Sequence, residues 1–328
     1  MAIPSNILEI RESTFYNKNV NEDIKIVGIG DIHISKLVGE KDIKKIYNAV
    51  YDISPDYICI LGDIVDSPKE LTKEESVNNL KLLIKLCSSI APTMIILGSH
   101  DFLYEKPGVA FNSYDDTGIW ATISKFPNVF LLNDKIFRDS RIIIGGYLQK
   151  IDSYIHPTDK HLENPDAYYN DFKNNPSLYK DLPKDLPKIL LTHSPEPIRN
   201  DNVEDLLSIY DVILTGHYHN GCIPPFLNDI YPKNAGIITP RKKLFPKYAR
   251  GVFKLKNGAY LVYSGGWVKL SNSAPIILHP FDMIYNRQMD VITLTSNEGF
   301  VKEHIKTNKI LLKKCWYFYE RGIYELRF

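Results

Sequence analysis

The sequence predicts an α/β fold on two observations. Between residues 24 and 97, β-branched apolar runs alternate with amphipathic stretches, in the order strand, helix, strand, helix, strand. Beyond residue 128 the apolar runs are short, at 128–133 (NVFLLN), 141–147 (RIIIGGY), 188–192 (KILLT) and 211–215 (DVILT), so the second half reads as β-rich.

The elements follow in order. Residues 24–30 (IKIVGIG) are a β-branched run closed by glycine, the pattern of a buried strand. Residues 41–53 space Ile43, Ile46, Val50 and Ile53 as one helical face, and 57–61 (YICIL) form a second strand. Residues 73–90 place Val77, Leu80, Leu83, Ile84 and Cys87 on another helical face, before a third strand at 93–97 (TMIIL). Right-handed crossovers set these three strands parallel. In 252–263, two alternating runs flank Asn257-Gly258, a strong hairpin signal, and 289–295 (MDVITLT) is a further strand.

Residues 149–187 are polar, with weak periodicity, and read as an excursion that caps or rims a site. The tail from 300 is basic and aromatic, with Trp316, Tyr317, Phe318 and Tyr319 in succession. The expected organisation is therefore one domain over 20–299 and a C-terminal extension over 300–328.

Composition narrows the classes of function. The 328 residues hold 40 Lys and Arg against 39 Asp and Glu, a net charge of +1, which argues against a global grip on nucleic acid. A local basic cluster, Arg241, Lys242, Lys243, Lys247 and Arg250, reads as a solvated loop or as a patch recruiting an anionic substrate or lipid surface. Cys59, Cys87, Cys222 and Cys315 form no CxxC pair, so reduced thiols are expected rather than a zinc ribbon. Residues 1–12 carry no long apolar run and no window suits a membrane span. The cytoplasm is the expected location, with peripheral membrane contact as an extension of that reading.

Chemistry gathers at the strand exits. Asp31 and His33 follow the first strand, Gly62-Asp63 the second, and Gly98-Ser99-His100-Asp101 the third. His193 follows KILLT, and Gly216-His217-Tyr218-His219 follows DVILT. Histidine is 9 of 328 residues, so chance seldom puts one behind a given strand, yet four of these five exits carry one. C-terminal strand edges are where α/β folds place ligands. Carboxylate and imidazole without thiolate suit manganese, iron or zinc. The donors are too many for one ion, and two ions ~3.5–4 Å apart can clamp a phosphoryl displacement. Asp66 reads as a solvent-facing loop carboxylate.

The ordered set DIH, LGDIVD, GSHD, TH and GHYH resembles the calcineurin-like metallophosphoesterase family, whose pattern is DxH, GD, GNH(D/E), H and GHxH. The resemblance covers roughly 24–270. It implies a β-sandwich flanked by helices, in four layers α/β/β/α. It implies that Asp31, His33, Asp63 and His219 hold one divalent ion and that Asp63, Ser99, His193 and His217 hold a second, with Asp63 between them. His100 matches the family's substrate-facing histidine and Asp101 its orienting carboxylate. Ser99 stands where the family has Asn, which weakens the second ion's site.

The implied reaction is hydrolysis of a phosphate ester by a hydroxide held between two ions, manganese first, with iron or zinc as alternatives. The stretch 216–267 looks like a bacterial branch acting on membrane-associated lipid phosphates, so a phosphorylated small molecule or lipid is the expected substrate. A metal-poor binding scaffold on the same fold and a nuclease are the competing readings.

Overall fold

The alternation of strand and helix periodicities sorts the chain into two sheets, one of them covered by two long helices. The computed structural model describes residues 7–101, 118–149, 172–199, 206–227, 230–232, 234–238, 244–268, 285–297 and 304–311. The first sheet contains β1 (Ile7–Tyr16), β2 (Ile24–Ile29), β3 (Tyr57–Leu61), β4 (Thr93–Ile96), β5 (Val129–Leu131), β12 (Arg287–Thr295) and β13 (His304–Leu311). Their spatial order is β13-β1-β12-β2-β3-β4-β5. The second sheet contains β6 (Lys135–Arg138), β7 (Ile143–Tyr147), β8 (Lys188–Thr192), β9 (Val212–Thr215), β10 (Gly251–Lys254) and β11 (Tyr260–Tyr263), ordered β10-β11-β9-β8-β7-β6.

β2, β3, β4 and β5 run parallel, as the crossovers require. The crossovers are α1 (Glu40–Ile53) and α2 (Glu74–Ser88). α1 buries Ile43, Ile46, Tyr47 and Val50, at roughly 1.5–3 kcal/mol for each large aliphatic side chain. It stops at Ser54, in the left-handed region at φ 51°, ahead of Pro55. α2 buries Leu80, Leu83, Ile84 and Cys87 of its predicted face, while Val77 is half-buried.

β3 shows why these strands read as unbroken apolar runs. Ile58 and Ile60 pack under the helices, whereas Tyr57, Cys59 and Leu61 face the other sheet. Between the sheets Ile26, Leu61, Met94 and Ile96 meet Ile144, Leu191, Leu214 and Val262. The outer face of the second sheet buries Phe172, Leu178, Leu190, Tyr210 and Ile213. Among the described residues short 3-10 turns, Pro176–Leu178 and Leu207–Ile209, cover it. Residues 172–187 of the polar excursion thus belong to this outer layer, and 150–171 lie outside the described residues.

The first sheet reaches beyond the boundaries expected from sequence, residues 20 and 299. β1 pairs in parallel with β12, and β13 pairs antiparallel with β1, so part of the expected extension is sheet. β1 escaped notice because its charged residues are not on a wet face: Glu9 is 8% exposed and Arg11 7%. Both are partnered. Arg11 Nε donates to Asp290 Oδ1 at 2.6 Å, and Asn286 Nδ2 to Glu9 Oε1 at 2.7 Å. The aromatic run Trp316–Tyr319 lies outside the described residues.

The predicted hairpin forms with β10 and β11, antiparallel. Its turn is longer than two residues: Leu255 N donates to Ala259 O and Gly258, at φ 95°, closes a three-residue loop. No helix among the described residues is long and apolar enough to cross a membrane.

Candidate metal centre

The chemistry-bearing loops come from both sheets. Asp31 and His33 leave β2, Asp63 leaves β3, and Ser99, His100 and Asp101 leave β4, all in the first sheet. His193 leaves β8, and His217 and His219 leave β9, in the second. The sandwich brings the two sets of strand ends together. Two groups of donors result, Asp31–His33–His219 and Asp63–His193–His217, all buried, with the ligand atoms of each group within 4.8 Å of one another. Asp63 falls in the second group only, whereas the resemblance implies that it is shared by both and that Ser99 joins the second.

The backbone bends sharply to reach these positions. Asp31 (φ 48°), His33 (53°), Asp63 (49°), His217 (68°) and His219 (46°) all occupy the left-handed region. Each such residue costs roughly 1–3 kcal/mol, and such strain clusters at functional sites. Two glycines let the loops close up. A Cβ on Gly62 (φ 82°) would lie 2.7 Å from His193 Nδ1, and one on Gly98 would lie 2.4 Å from Asp63 N and Oδ1.

Main-chain carbonyls orient the rings. His193 Nδ1 donates to Leu61 O at 2.7 Å, and His219 Nδ1 to Val268 O at 2.6 Å. A carbonyl accepts only, so Nδ1 is the donor in each ring and Nε2 is turned toward the neighbouring carboxylate, with His193 Nε2 also 3.2 Å from His217 Nδ1. His193 Nε2 lies 3.1 Å from Asp63 Oδ2, and His219 Nε2 lies 3.6 Å from Asp31 Oδ1. The Asp31 carboxylate also accepts the His217 N–H at 3.1 Å, which joins the two groups. Both ring nitrogens of His33 are buried without a hydrogen bond, although its Nδ1 is 3.5 Å from Asp66 Oδ1. A buried imidazole of this kind, beside carboxylates, fits a divalent cation.

Electrostatics agree. Burial and the His100 ring hold His33 well below the ordinary histidine range, and burial and His193 do the same to His217. Both are therefore neutral, as ligation requires. Burial opposes a charge on Asp63, but His193 and His100 outweigh it and keep this carboxylate ionised. Burial likewise opposes a charged His193, yet Asp63 raises it to about 9.

Two predicted roles are corrected. Asp101 does not bind the His100 ring. Its Oδ1 accepts Ile64 N at 2.8 Å and Val65 N at 3.1 Å, and its Oδ2 accepts Gly98 N at 2.8 Å. It ties the Asp63 loop to the His100 loop. Asp66 is no solvent-facing carboxylate: it is 4% exposed, faces His33, and its main-chain oxygen accepts His100 Nδ1. The oriented ring of His100 presents Nε2, 3.9 Å from Asp63 Oδ2, and its side chain is 24% exposed. Ser99 Oγ donates to Asp63 Oδ1 at 3.4 Å, so the hydroxyl lies against the second group.

Sequence reading took Trp267 only as the end of the 216–267 stretch and passed over Val268; their N–H groups donate to Gly30 O at 3.0 Å and Asp31 O at 2.9 Å. Their signal was the glycine pair before Trp267, which permits a strand end to lie flush on another loop. Of the basic cluster, Lys247 is exposed, whereas Arg250 is buried and donates to Tyr231 O and Pro232 O. Arg241–Lys243 lie outside the described residues.

Comparison with known proteins adds relatives. An uncharacterized metallophosphoesterase of Campylobacter jejuni is 28% identical over 210 residues, 64% of this chain and 47% of its own, so the match spans about half that relative's length. The UDP-2,3-diacylglucosamine pyrophosphatase LpxG of Chlamydia trachomatis is 27% identical over 291 residues, covering 77% of this chain and 81% of its own. Among solved structures, a Danio rerio dimetal phosphatase aligns with TM-score 0.38 and 11% identity, over 74% of this chain and 87% of its own. The family model for calcineurin-like phosphoesterases matches residues 24–221, a span that holds every member of both donor groups together with Ser99, His100 and Asp101. With that span exceeding half its length, the chain belongs to the calcineurin-like phosphoesterase family.

Proposed function

We propose that the protein is a metal-dependent phosphoric ester hydrolase holding two divalent ions, and that its substrate is a phosphorylated lipid-type molecule. The observation that carries the reading is the pair of buried three-donor groups, each with a ring turned toward its carboxylate by a main-chain carbonyl. Asp31, His33 and His219 would hold one ion and Asp63, His193 and His217 the other, with Ser99 beside the second; the family resemblance would have Asp63 shared between the two. Manganese is the first choice for this oxygen and nitrogen donor set, with iron or zinc as alternatives. Ions held there would supply a water of lowered pKa as nucleophile and would offset charge on the phosphoryl oxygens.

The chain's own residues supply the rest. Despite burial, Asp63 and the Asp66 carbonyl raise the pKa of His100, which favours its protonated form. With Nδ1 committed to that carbonyl, Nε2 is the atom that stabilises the phosphoryl charge or delivers a proton to the leaving oxygen. Asp101 holds the two loops that set this distance. The name of the chlamydial relative, a pyrophosphatase of a diacylated sugar nucleotide, supports a lipid-linked phosphate.

The test is metal removal and reloading, followed by turnover of an aryl phosphate and of a diacylated sugar nucleotide. Activity lost on chelation and restored by Mn²⁺, with preference for the lipid substrate, is expected. Full activity in metal-free protein overturns the metal reading, and preference for the aryl phosphate overturns the lipid reading. One observation favours the scaffold alternative: Ser99 replaces an amide ligand, and metal-loaded protein without turnover on either substrate would select it.

A further inference from the structure

We propose that Arg287 is a positioning residue for the Asp31–His33–His219 group, acting through the strap Gly266–Val268. This inference rests on the two-ion reading above. The strap touches two ligands of one group. Val268 O accepts from His219 Nδ1 at 2.6 Å and thereby turns His219 Nε2 toward Asp31. Val268 N donates to Asp31 O at 2.9 Å, and Trp267 N to Gly30 O at 3.0 Å. Gly266 lets the strap lie against Asp31: at φ 73°, a Cβ there would sit 2.7 Å from Asp31 Cβ.

The strap is itself held from behind. Arg287 Nη1 donates to Trp267 O at 2.8 Å, and Gln288 N donates to Gly266 O at 3.1 Å. Arg287 is buried and opens β12, whose register is set by β1, Leu8 facing Arg287. Without the guanidinium, the Trp267 carbonyl loses its charged donor, and the carbonyl of the next residue is the one that orients His219. The Asp63 group has an anchor of its own, His193 on Leu61 O, and His217 N is its link to the Asp31 carboxylate. The arrangement therefore carries a selective consequence. A change at Arg287, outside the matched span 24–221, loosens one group and spares the other.

The experiment uses the full chain, stripped of metal and titrated with Mn²⁺ by calorimetry and electron paramagnetic resonance. Partners behind a metal ligand are worth ~10–100-fold in metal affinity. Arg287→Met is expected to weaken one of two binding steps by about that factor and leave the other within about twofold. The spin-coupled pair spectrum gives way to that of an isolated ion at concentrations that saturate the wild type. Arg287→Lys, which keeps an N–H donor, is expected to recover most of the lost affinity. Should Arg287→Met fail to fold, Arg287→Gln is read in the same way. Equal weakening of both steps with a lowered melting temperature marks a general structural role and overturns the proposal, as do two unchanged steps. Uptake of fewer than two ions by the wild type overturns the two-ion reading itself, and the proposal with it.

Discussion

The Nδ1–H of His193 donates to the carbonyl of Leu61 at 2.7 Å, and this bond crosses from one sheet to the other. Leu61 ends β3 in the first sheet, and His193 follows β8 in the second. The contact turns His193 Nε2 to within 3.1 Å of Asp63, so a donor group is completed only when the sandwich closes.

Gly62→Ala places a methyl 2.7 Å from His193 Nδ1 and from Gly98 N, at φ 82°. Overpacking of this kind costs roughly 1–3 kcal/mol. Urea unfolding of the metal-free variant should show a loss of that order, and metal uptake at the Asp63 group should fall. Wild-type values for both would mean that the loops separate without cost.

His100→Ala should retain its metal content and lose turnover by ~10²–10⁴, the usual worth of a positioned acid or base. The motive is the Nε2 beside Asp63 on a half-buried ring, with Nδ1 bound to the Asp66 carbonyl. Metal lost while catalysis survives on the remainder would make His100 a ligand instead.

Asp101→Ala strips acceptors from three buried main-chain N–H groups at once. An unsatisfied buried donor costs about 1–3 kcal/mol. The variant should melt well below wild type and below His100→Ala, with weaker metal binding. A normal melting curve combined with a shifted pH–rate profile would restore the role of His100 orienter that the sequence suggested.

Ser99→Asn exchanges a hydroxyl donating to Asp63 for a side chain with an amide oxygen. The second ion should bind more tightly, and activity should saturate at lower metal concentration. Paired titrations of wild type and variant decide it. Superimposable curves mean that Ser99 already suffices.

The proton on His193 gives a pH dependence. Burial disfavours its charge, but Asp63 outweighs burial and raises His193 to about 9 in metal-free protein. Its unfolded value is about 6.5. This pairing therefore stabilises the metal-free fold fully below about 6.5 and fades as pH rises through 9. Ligation needs neutral imidazole, so metal uptake at pH 7 should release about one proton, and affinity should climb until pH 9. Calorimetry in buffers of differing ionisation enthalpy reads the release. A heat independent of buffer at pH 7 would contradict it.

Residues 24–97 made their strands and helices legible, because each apolar run had one period and clear glycine or proline punctuation. The candidate donors were legible for the same reason: they follow strands directly, so counting along the chain finds Asp31, His33, Asp63, His193, His217 and His219. Tertiary structure alone decided their division between two sheets, since strand pairing across a sandwich leaves no local trace. It also decided the left-handed backbone at five candidate donors, which only closure of the surrounding loops can hold. β1 stayed hidden because Glu9 and Arg11 look wet until Asn286 and Asp290 arrive from 277 and 279 residues away. Asp66 and Val268 were hidden likewise, for each acts on a histidine partly or wholly through a main-chain oxygen, and a main-chain oxygen has no side-chain identity to read.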